Sequence, residues 1–185
     1  MAPHSEDNLL MVRVRDGEVR CLAPLFERYN KQLYNYFLRL TQNESTSEDF
    51  VQEVFFRILK YKHTFRGDGQ FITWMYHLAR NVQIDHSKKW SSEFTYDSDL
   101  HEPKSSDSNP AETAERNQDL NLLEKALNKL SVEKKEVLIM SRYQELKYEV
   151  ISEILGISVE NVKVRVHRAM HELRTHFHQL SGEKL

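Results

Sequence analysis

Tyr148-Glu149-Val150-Ile151-Ser152-Glu153-Ile154-Leu155-Gly156-Ile157-Ser158, running on into Val162-Lys163-Val164-Arg165-Val166-His167-Arg168-Ala169, is the stretch that decides the fold. Apolar residues recur at helical spacing on both sides of Gly156, and Ser158 stands where a second helix needs a cap. Helix, glycine turn, capping serine, helix is the helix-turn-helix arrangement. The spacing predicts one helix over 148–155 and another from Ser158 to about Gln179. In the second, Val162, Val166, Ala169, Met170, Leu173 and Phe177 share a face, while Lys163, Arg165, His167 and Arg168 project largely elsewhere. One face packs and a basic one is left available. A recognition helix places its first turns in the major groove, where residues 160–168 reach base edges and flanking bases hold phosphate. Arg165 and Arg168 are the preferred contacts. Periodicity alone leaves open a solvated amphipathic helix at the end of the chain.

Upstream, from near Gln118, Leu120, Leu123, Ala126, Leu127 and Leu130 lie on one helical face. The pattern restarts at Ser131, with Glu133 and Glu136 near the new amino end, and continues through Val137, Leu138, Met140, Ser141 and Tyr143. Residues 118–185 therefore read as a small helical domain. Residues 91–117 hold six serines, two prolines and most of the excess acid, a composition that cannot bury enough apolar area to offset ordering entropy. They read as a flexible acidic linker, since so long a structureless segment is unusual inside one domain. Ahead of it, Leu25, Phe26, Tyr29, Leu33, Tyr36, Phe37 and Leu40 form one amphipathic stripe. Asn43 to Ser47 interrupts it, with Thr46 or Ser47 expected to cap the next helix, which carries Phe50, Val51, Val54, Phe55, Ile58 and Leu59. Gly67-Asp68-Gly69 is a turn signal, after which Phe71, Trp74, Met75, Leu78, Val82 and Ile84 or Asp85 resume the helical period. Trp74 is expected in the core. Residues 1–90 read as a three- or four-helix bundle, and the fold class is all-α: two small helical domains joined by a flexible acidic linker.

Composition agrees. Five Gly and four Pro among 185 residues leave few positions for tight turns and favour long helices. The longest apolar runs, Leu9–Val12 and Val137–Met140, are too short to span a bilayer, so no integral membrane segment is expected. The first residues lack a secretory signal, and the single cysteine, Cys21, fits a reducing compartment. A cytoplasmic location is expected. The net charge of −2 hides polarity: Arg57–Lys89 carries seven bases against two acids, and Glu93–Asp119 eight acids against two bases. No nucleophile elbow, phosphate-cradling loop or zinc signature is present, so neither catalysis nor a cofactor is expected. His167 and His171 are four apart, with His176 and His178 beyond, but no carboxylate or cysteine completes a metal site. His176 and His178 are expected to be exposed. A DNA-binding repressor or activator with a ligand-sensing amino-terminal bundle remains open; it would bind promoter DNA without polymerase.

The helix-turn-helix stretch resembles region 4 of extracytoplasmic-function sigma factors of the sigma-70 family. Glu48-Asp49-Phe50-Val51-Gln52-Glu53-Val54-Phe55 resembles region 2.2, and Thr73-Trp74-Met75-Tyr76-His77-Leu78-Ala79-Arg80-Asn81, followed by Asp85, resembles regions 2.3 and 2.4. Leu25 to Tyr29 suits region 2.1. The matches run in the family's order and cover nearly everything outside the linker. The resemblance implies a factor that binds core RNA polymerase, directs it to promoters and melts DNA. It divides the chain into region 2 at 1–90, a linker at 91–117 and region 4 at 118–185. It implies docking on the β′ clamp helices through Asp49, Gln52 and Glu53 beside Phe56, and on the β flap. It implies minus-ten contacts from the loop and helix carrying Phe65, Arg66, Gly67, Asp68, Phe71, Arg80, Asn81, Lys88 and Lys89, with one base flipped into the loop. Minus-thirty-five contacts fall to Ser158, Asn161, Lys163, Val164, Arg165, His167 and Arg168. Promoter DNA and an anti-sigma factor complete the implied partners, and the acidic linker is expected to thread the positively lined RNA path.

Four positions depart from the family pattern: Lys147 replaces Ser or Thr, Ser152 a small Ala, Asn161 a Thr and Val164 a Ser. Losing a capping hydroxyl at Lys147 costs about 1 kcal/mol, and the Ser152 hydroxyl is expected to bond back to a helical carbonyl. Asn161 is expected to contact adenine, and Val164 to pack on a thymine methyl.

Overall fold

The computed structural model describes residues 6–93 and 113–182, with side chains from 6–88 and 118–182. Among these residues the ordered backbone is helical, with no strand. The chain divides into two compact units, Met1–Glu102 and Pro103–Leu185. The segment read as a linker falls mostly outside the described residues. At its edges the backbone is helical, because α4 runs to Glu93 and α5 starts at Thr113.

The first unit holds α1 (Glu6–Arg15), α2 (Leu22–Thr41), α3 (Glu44–Tyr61) and α4 (Phe71–Glu93). The predicted stripes become its core: Leu25, Tyr29, Leu33, Tyr36 and Phe37 from α2 meet Phe50, Val51, Val54, Phe55 and Ile58 from α3. Phe71, Met75, Tyr76, Leu78, Ala79 and Val82 face them from α4. Edge-to-face ring pairs tie the layers, with Tyr36 5.3 Å from Tyr76 and Phe37 5.1 Å from Phe50, the offset arrangement that aromatic quadrupoles favour. Leu59 and Ile84 stand outside this core, at the margins of their stripes, and are exposed.

The α2–α3 corner differs from its expected form. Gln42 takes a left-handed conformation and donates its N–H to the Leu38 carbonyl, closing α2. Asn43, not Thr46 or Ser47, caps α3: its backbone is extended and its Oδ1 accepts the Thr46 N–H at 2.8 Å. Ser47 is already one turn inside the helix, and its hydroxyl donates to the Asn43 carbonyl at 2.6 Å.

The second unit holds α5 (Thr113–Asn128), α6 (Val132–Leu138), α7 (Tyr148–Leu155) and α8 (Val159–Ser181), with one wider π turn over Ile139–Tyr143. Ala126, Leu127 and Leu130 are buried as expected, whereas Leu120, on the first turns of α5, is exposed. Six consecutive residues, Lys135 to Met140, are buried where α6 passes into the π turn, the last four of them apolar. α8 is the central strut, packed against α5, α6 and α7 through Val162, Val166, Ala169 and Leu173.

Lys135 is buried on α6, with its Nζ donating to the Asn128 Oδ1 at 2.6 Å. Burial disfavours the ammonium and pulls its pKa down to about 8. Between pH 8 and the ordinary lysine value the unfolded chain binds the extra proton, so this contribution to stability is lost as pH falls through 8 and fully present above the unfolded pKa. Lys135→Met is therefore expected to stabilise the second unit near pH 7, by on the order of 1–2 kcal/mol after the lost hydrogen bond is set against it. Urea titrations followed by circular dichroism should show that advantage shrinking from pH 8 to 10.5; an advantage independent of pH rejects the assignment.

Candidate nucleic-acid interface

The turn between α7 and α8 is built by three residues. Gly156 ends α7 at φ 64°, a left-handed position that costs glycine nothing and a side chain about 1 kcal/mol or more. Ile157 N–H closes on the Ser152 carbonyl at 3.1 Å, the bond that seals such helix ends. Ser158 then caps α8, its side chain accepting the Asn161 N–H at 3.2 Å. Of the two expectations at α7, the first holds and the second is reversed. Lys147 precedes the helix without a side-chain cap. The Ser152 hydroxyl points forward, not back, donating at 2.6 Å to the carbonyl of Ile157. It fastens the turn because that carbonyl lies beyond the helix, within reach only once the chain has reversed at Gly156.

Ser158 at the cap, and Asn161, Lys163, Val164, Arg165, His167 and Arg168 on α8, are all exposed. Asn161, Val164, Arg165 and Arg168 follow helical spacing along one face, opposite the buried Val162, Val166 and Ala169. A wider concavity of about 570 Å³ adjoins them, lined by Lys134, His167, Arg168, His171, Glu172 and Thr175, where Lys134 pairs with Glu172. His176 and His178 are half-buried, not exposed as expected, because α8 continues to Ser181 and keeps them against the unit. Among the described residues no three His, Cys, Asp or Glu side chains converge as metal ligands.

In the first unit, the loop of residues 65–70 borders a recess of about 170 Å³, walled by Phe65, the loop backbone, and Thr73, Trp74 and His77 from α4. Phe65 is 3% exposed and Phe71 1%, so their rings form the base of the loop and present no free face. Phe65 stacks 5.4 Å from Trp74, and Phe71 5.5 Å from Tyr29. Trp74, expected in the core, is half-buried with part of its ring on the recess. Arg66 and Asp68 are exposed at the loop tip. Gly67 has φ 86°, and a Cβ there would stand 3.2 Å from the Val12 side chain on α1. Along α4, Asn81 and Lys88 are exposed and Arg80 is half-buried, while the Lys89 side chain lies outside the described residues.

On α3, Asp49 and Gln52 are exposed, Phe56 is 60% exposed and Glu53 is half-buried. Glu53 is not a free carboxylate: Arg57 Nε donates to it at 2.6 Å, and the same guanidinium reaches Asp85 on α4 at 2.7 Å. Arg57 therefore joins the α3 patch to α4. Sequence reading missed this residue, although a lone arginine within an apolar stripe, four residues after an acid, was its signal. It also placed Phe26 in the stripe, whereas the ring is 43% exposed and edges onto Phe55 at 4.8 Å.

The structure also brings in α1, which the sequence reading left without a role. Asn8 is buried there, as are Met11 and Val14. Its Nδ2 donates to the Gly69 carbonyl at 2.7 Å and its Oδ1 accepts the Phe71 N–H at 2.8 Å. Arg15 donates to the carbonyls of Phe65 and Arg66, both at 3.3 Å. Next to Asn8, Asp7 is held by Arg28 and by the Tyr29 hydroxyl. Burial, then the bond to Asp7, raises the Tyr29 phenol, so it remains a donor at any physiological pH.

Comparison with known proteins places these features together. The family models for sigma-70 region 2 and sigma-70 region 4 match residues 25–92 and 120–173. RNA polymerase sigma factor YlaC of Bacillus subtilis (strain 168) is 32% identical over 157 residues, covering 83% of this chain and 90% of the relative. ECF RNA polymerase sigma factor SigX of the same organism is 27% identical over 164 residues, covering 86% and 84%. Among solved structures, CnrH in complex with the cytosolic domain of CnrY superposes with a TM-score of 0.70 at 21% identity, over 91% of this chain and 95% of the other. That likeness is one of fold.

Proposed function

Because this chain belongs to the sigma-70 family, in its extracytoplasmic-function branch, we propose that it acts in the cytoplasm, binds core RNA polymerase and directs it to specific promoters. Residues 1–90 act as region 2, 118–185 as region 4, and 91–117 as the acidic linker between them, threading the RNA path. α3 presents Asp49, Gln52, Glu53 and Phe56 to the β′ clamp helices, and region 4 also meets the β flap. The 65–70 loop receives a flipped minus-ten base, with Phe65 and Phe71 forming its base, Arg66, Gly67 and Asp68 at its rim, and Asn81 near the recess. Arg80, Lys88 and Lys89 neutralise phosphates. Ser158, Asn161, Lys163, Val164, Arg165, His167 and Arg168 read or grip the minus-thirty-five element. No covalent step belongs to this chain: base pairing is exchanged for stacking, pocket contacts and charge neutralisation on the captured strand. An anti-sigma protein is the expected regulator; CnrH, of similar fold, is solved with CnrY, and RpoE of Bartonella quintana with the anti-sigma factor NepR.

The observation that carries this reading is the exposed row on α8, Asn161, Val164, Arg165 and Arg168, delivered by a glycine turn and a serine cap. Neither small domain needs to bind tightly alone, since tethering gives the second contact a high effective concentration once polymerase holds the first. Purified protein mixed with core polymerase and a promoter library should yield transcripts starting downstream of one shared bipartite sequence. Tight promoter binding without polymerase, and no start-site selection with it, is the result that a repressor gives.

The α3 patch has its own test. Asp49 is exposed, so Asp49→Lys leaves the core of the bundle untouched while reversing charge at the docking face. It is expected to weaken association with core polymerase about tenfold or more, as like-charge juxtaposition does at interfaces. An unchanged dissociation constant in a fluorescence titration removes Asp49 from the interface.

A further inference from the structure

We propose that α1, through Asn8 and Arg15, sets the shape of the base-capturing loop, making Asn8 a positioning residue for promoter opening. The inference rests on the role given above to the 65–70 loop, and it adds a determinant that lies ahead of the matched region, which begins at residue 25.

Residues 65–70 include two glycines, and Gln70, just ahead of α4, is not one of the residue types that cap helices well. The first N–H groups of α4 have no partner within the helix, so something else must satisfy them. For Phe71 N–H that partner is Asn8, reaching from a helix 63 positions away in sequence. The other end of the same amide holds the Gly69 carbonyl, so both polar atoms are used and the side chain has one orientation. Asn8 is 6% exposed, which shields these bonds from water. Arg15, two turns further along α1, holds the carbonyls at the other end of the loop, and Val12 between them faces the position where Gly67 has no Cβ. Three residues of one helix face thus contact the loop at its start, middle and end. α1 is itself fixed to α2 by Arg28 and Tyr29 on Asp7, so the loop is braced against the bundle.

A base pocket works only if its walls are already in place when the base leaves the stack, because a displacement near 1 Å can cost on the order of a hundredfold in a positioned reaction. Asn8→Asp keeps an acceptor for Phe71 N–H but turns an oxygen toward the Gly69 carbonyl. Arg15→Met keeps the aliphatic stem and removes the donors to Phe65 and Arg66.

The test uses reconstituted holoenzyme on one promoter, with a fluorescent base analogue in the minus-ten element. Both variants are expected to assemble with core polymerase and to bind the minus-thirty-five element within about twofold of wild type. Opening should slow on the order of tenfold, and discrimination between bases at the captured position should fall with it. A merely structural role moves the unfolding midpoint without changing base preference, so that preference is the deciding readout. Wild-type opening rates and base preference in both variants overturn the proposal. If Asn8→Asp does not fold, Arg15→Met, at a partly exposed position, decides alone. Failure of the wild-type holoenzyme to open any promoter is a different result: it refutes the role of the loop itself.

Discussion

Arg165→Ala and Arg168→Ala are each expected to weaken promoter binding by the holoenzyme by about 1–3 kcal/mol, roughly tenfold to more than a hundredfold, without loss of fold. Both side chains are exposed on α8, away from the face that packs through Val162, Val166, Ala169 and Leu173, and alanine is the better helix former. The two substitutions separate base reading from backbone gripping. An arginine that forks onto a guanine edge relaxes preference at one base pair when removed, whereas one on a phosphate weakens all sequences alike and lowers the salt slope by about one. Titrations of labelled promoter variants at several salt concentrations measure both quantities. Affinity, preference and salt slope all unchanged in the two variants are incompatible with α8 as the recognition helix.

Phe71→Ala is expected to destabilise the first unit by about 3–5 kcal/mol, a large share of a small domain's total. The ring is buried in the first turn of α4, against Tyr29 and 6.3 Å from both Phe65 and Trp74. Truncation leaves a cavity under the 65–70 loop that these neighbours cannot all collapse to fill. Both tryptophans, Trp74 and Trp90, belong to the first unit and the sequence of the second holds none, so tryptophan fluorescence follows unfolding of the first. Urea unfolding followed by fluorescence should shift strongly, while the helical signal of the second unit keeps its own midpoint. A shift below about 1 kcal/mol means that the ring does not support the loop in the way the packing indicates.

The turn at Gly156, the cap at Ser158 and the span of α7 were legible because each depends on residues within one or two turns of one another. The exposed basic face of α8 followed from period alone. The Asn43 cap was missed by three or four positions, since Asn, Ser and Thr all qualify chemically and only the extended backbone at Asn43 chooses among them. Ser152 carried the right chemistry in the wrong direction, because its acceptor at Ile157 exists only after the turn has formed.

What local sequence determined about this protein is therefore its inventory: helices with apolar stripes, a helix-turn-helix, a charge-polarised chain, and motifs of regions 2 and 4 in their family order. Tertiary structure alone decided which groups meet. Asn8 reaches Gly69 and Phe71, Arg15 reaches Phe65 and Arg66, and Arg57 links Glu53 to Asp85 across 28 residues of chain. Helical period records which way a side chain faces, a property of neighbours three and four residues apart. It holds no record of a polar partner dozens of residues away, whose position is set only when the helices pack.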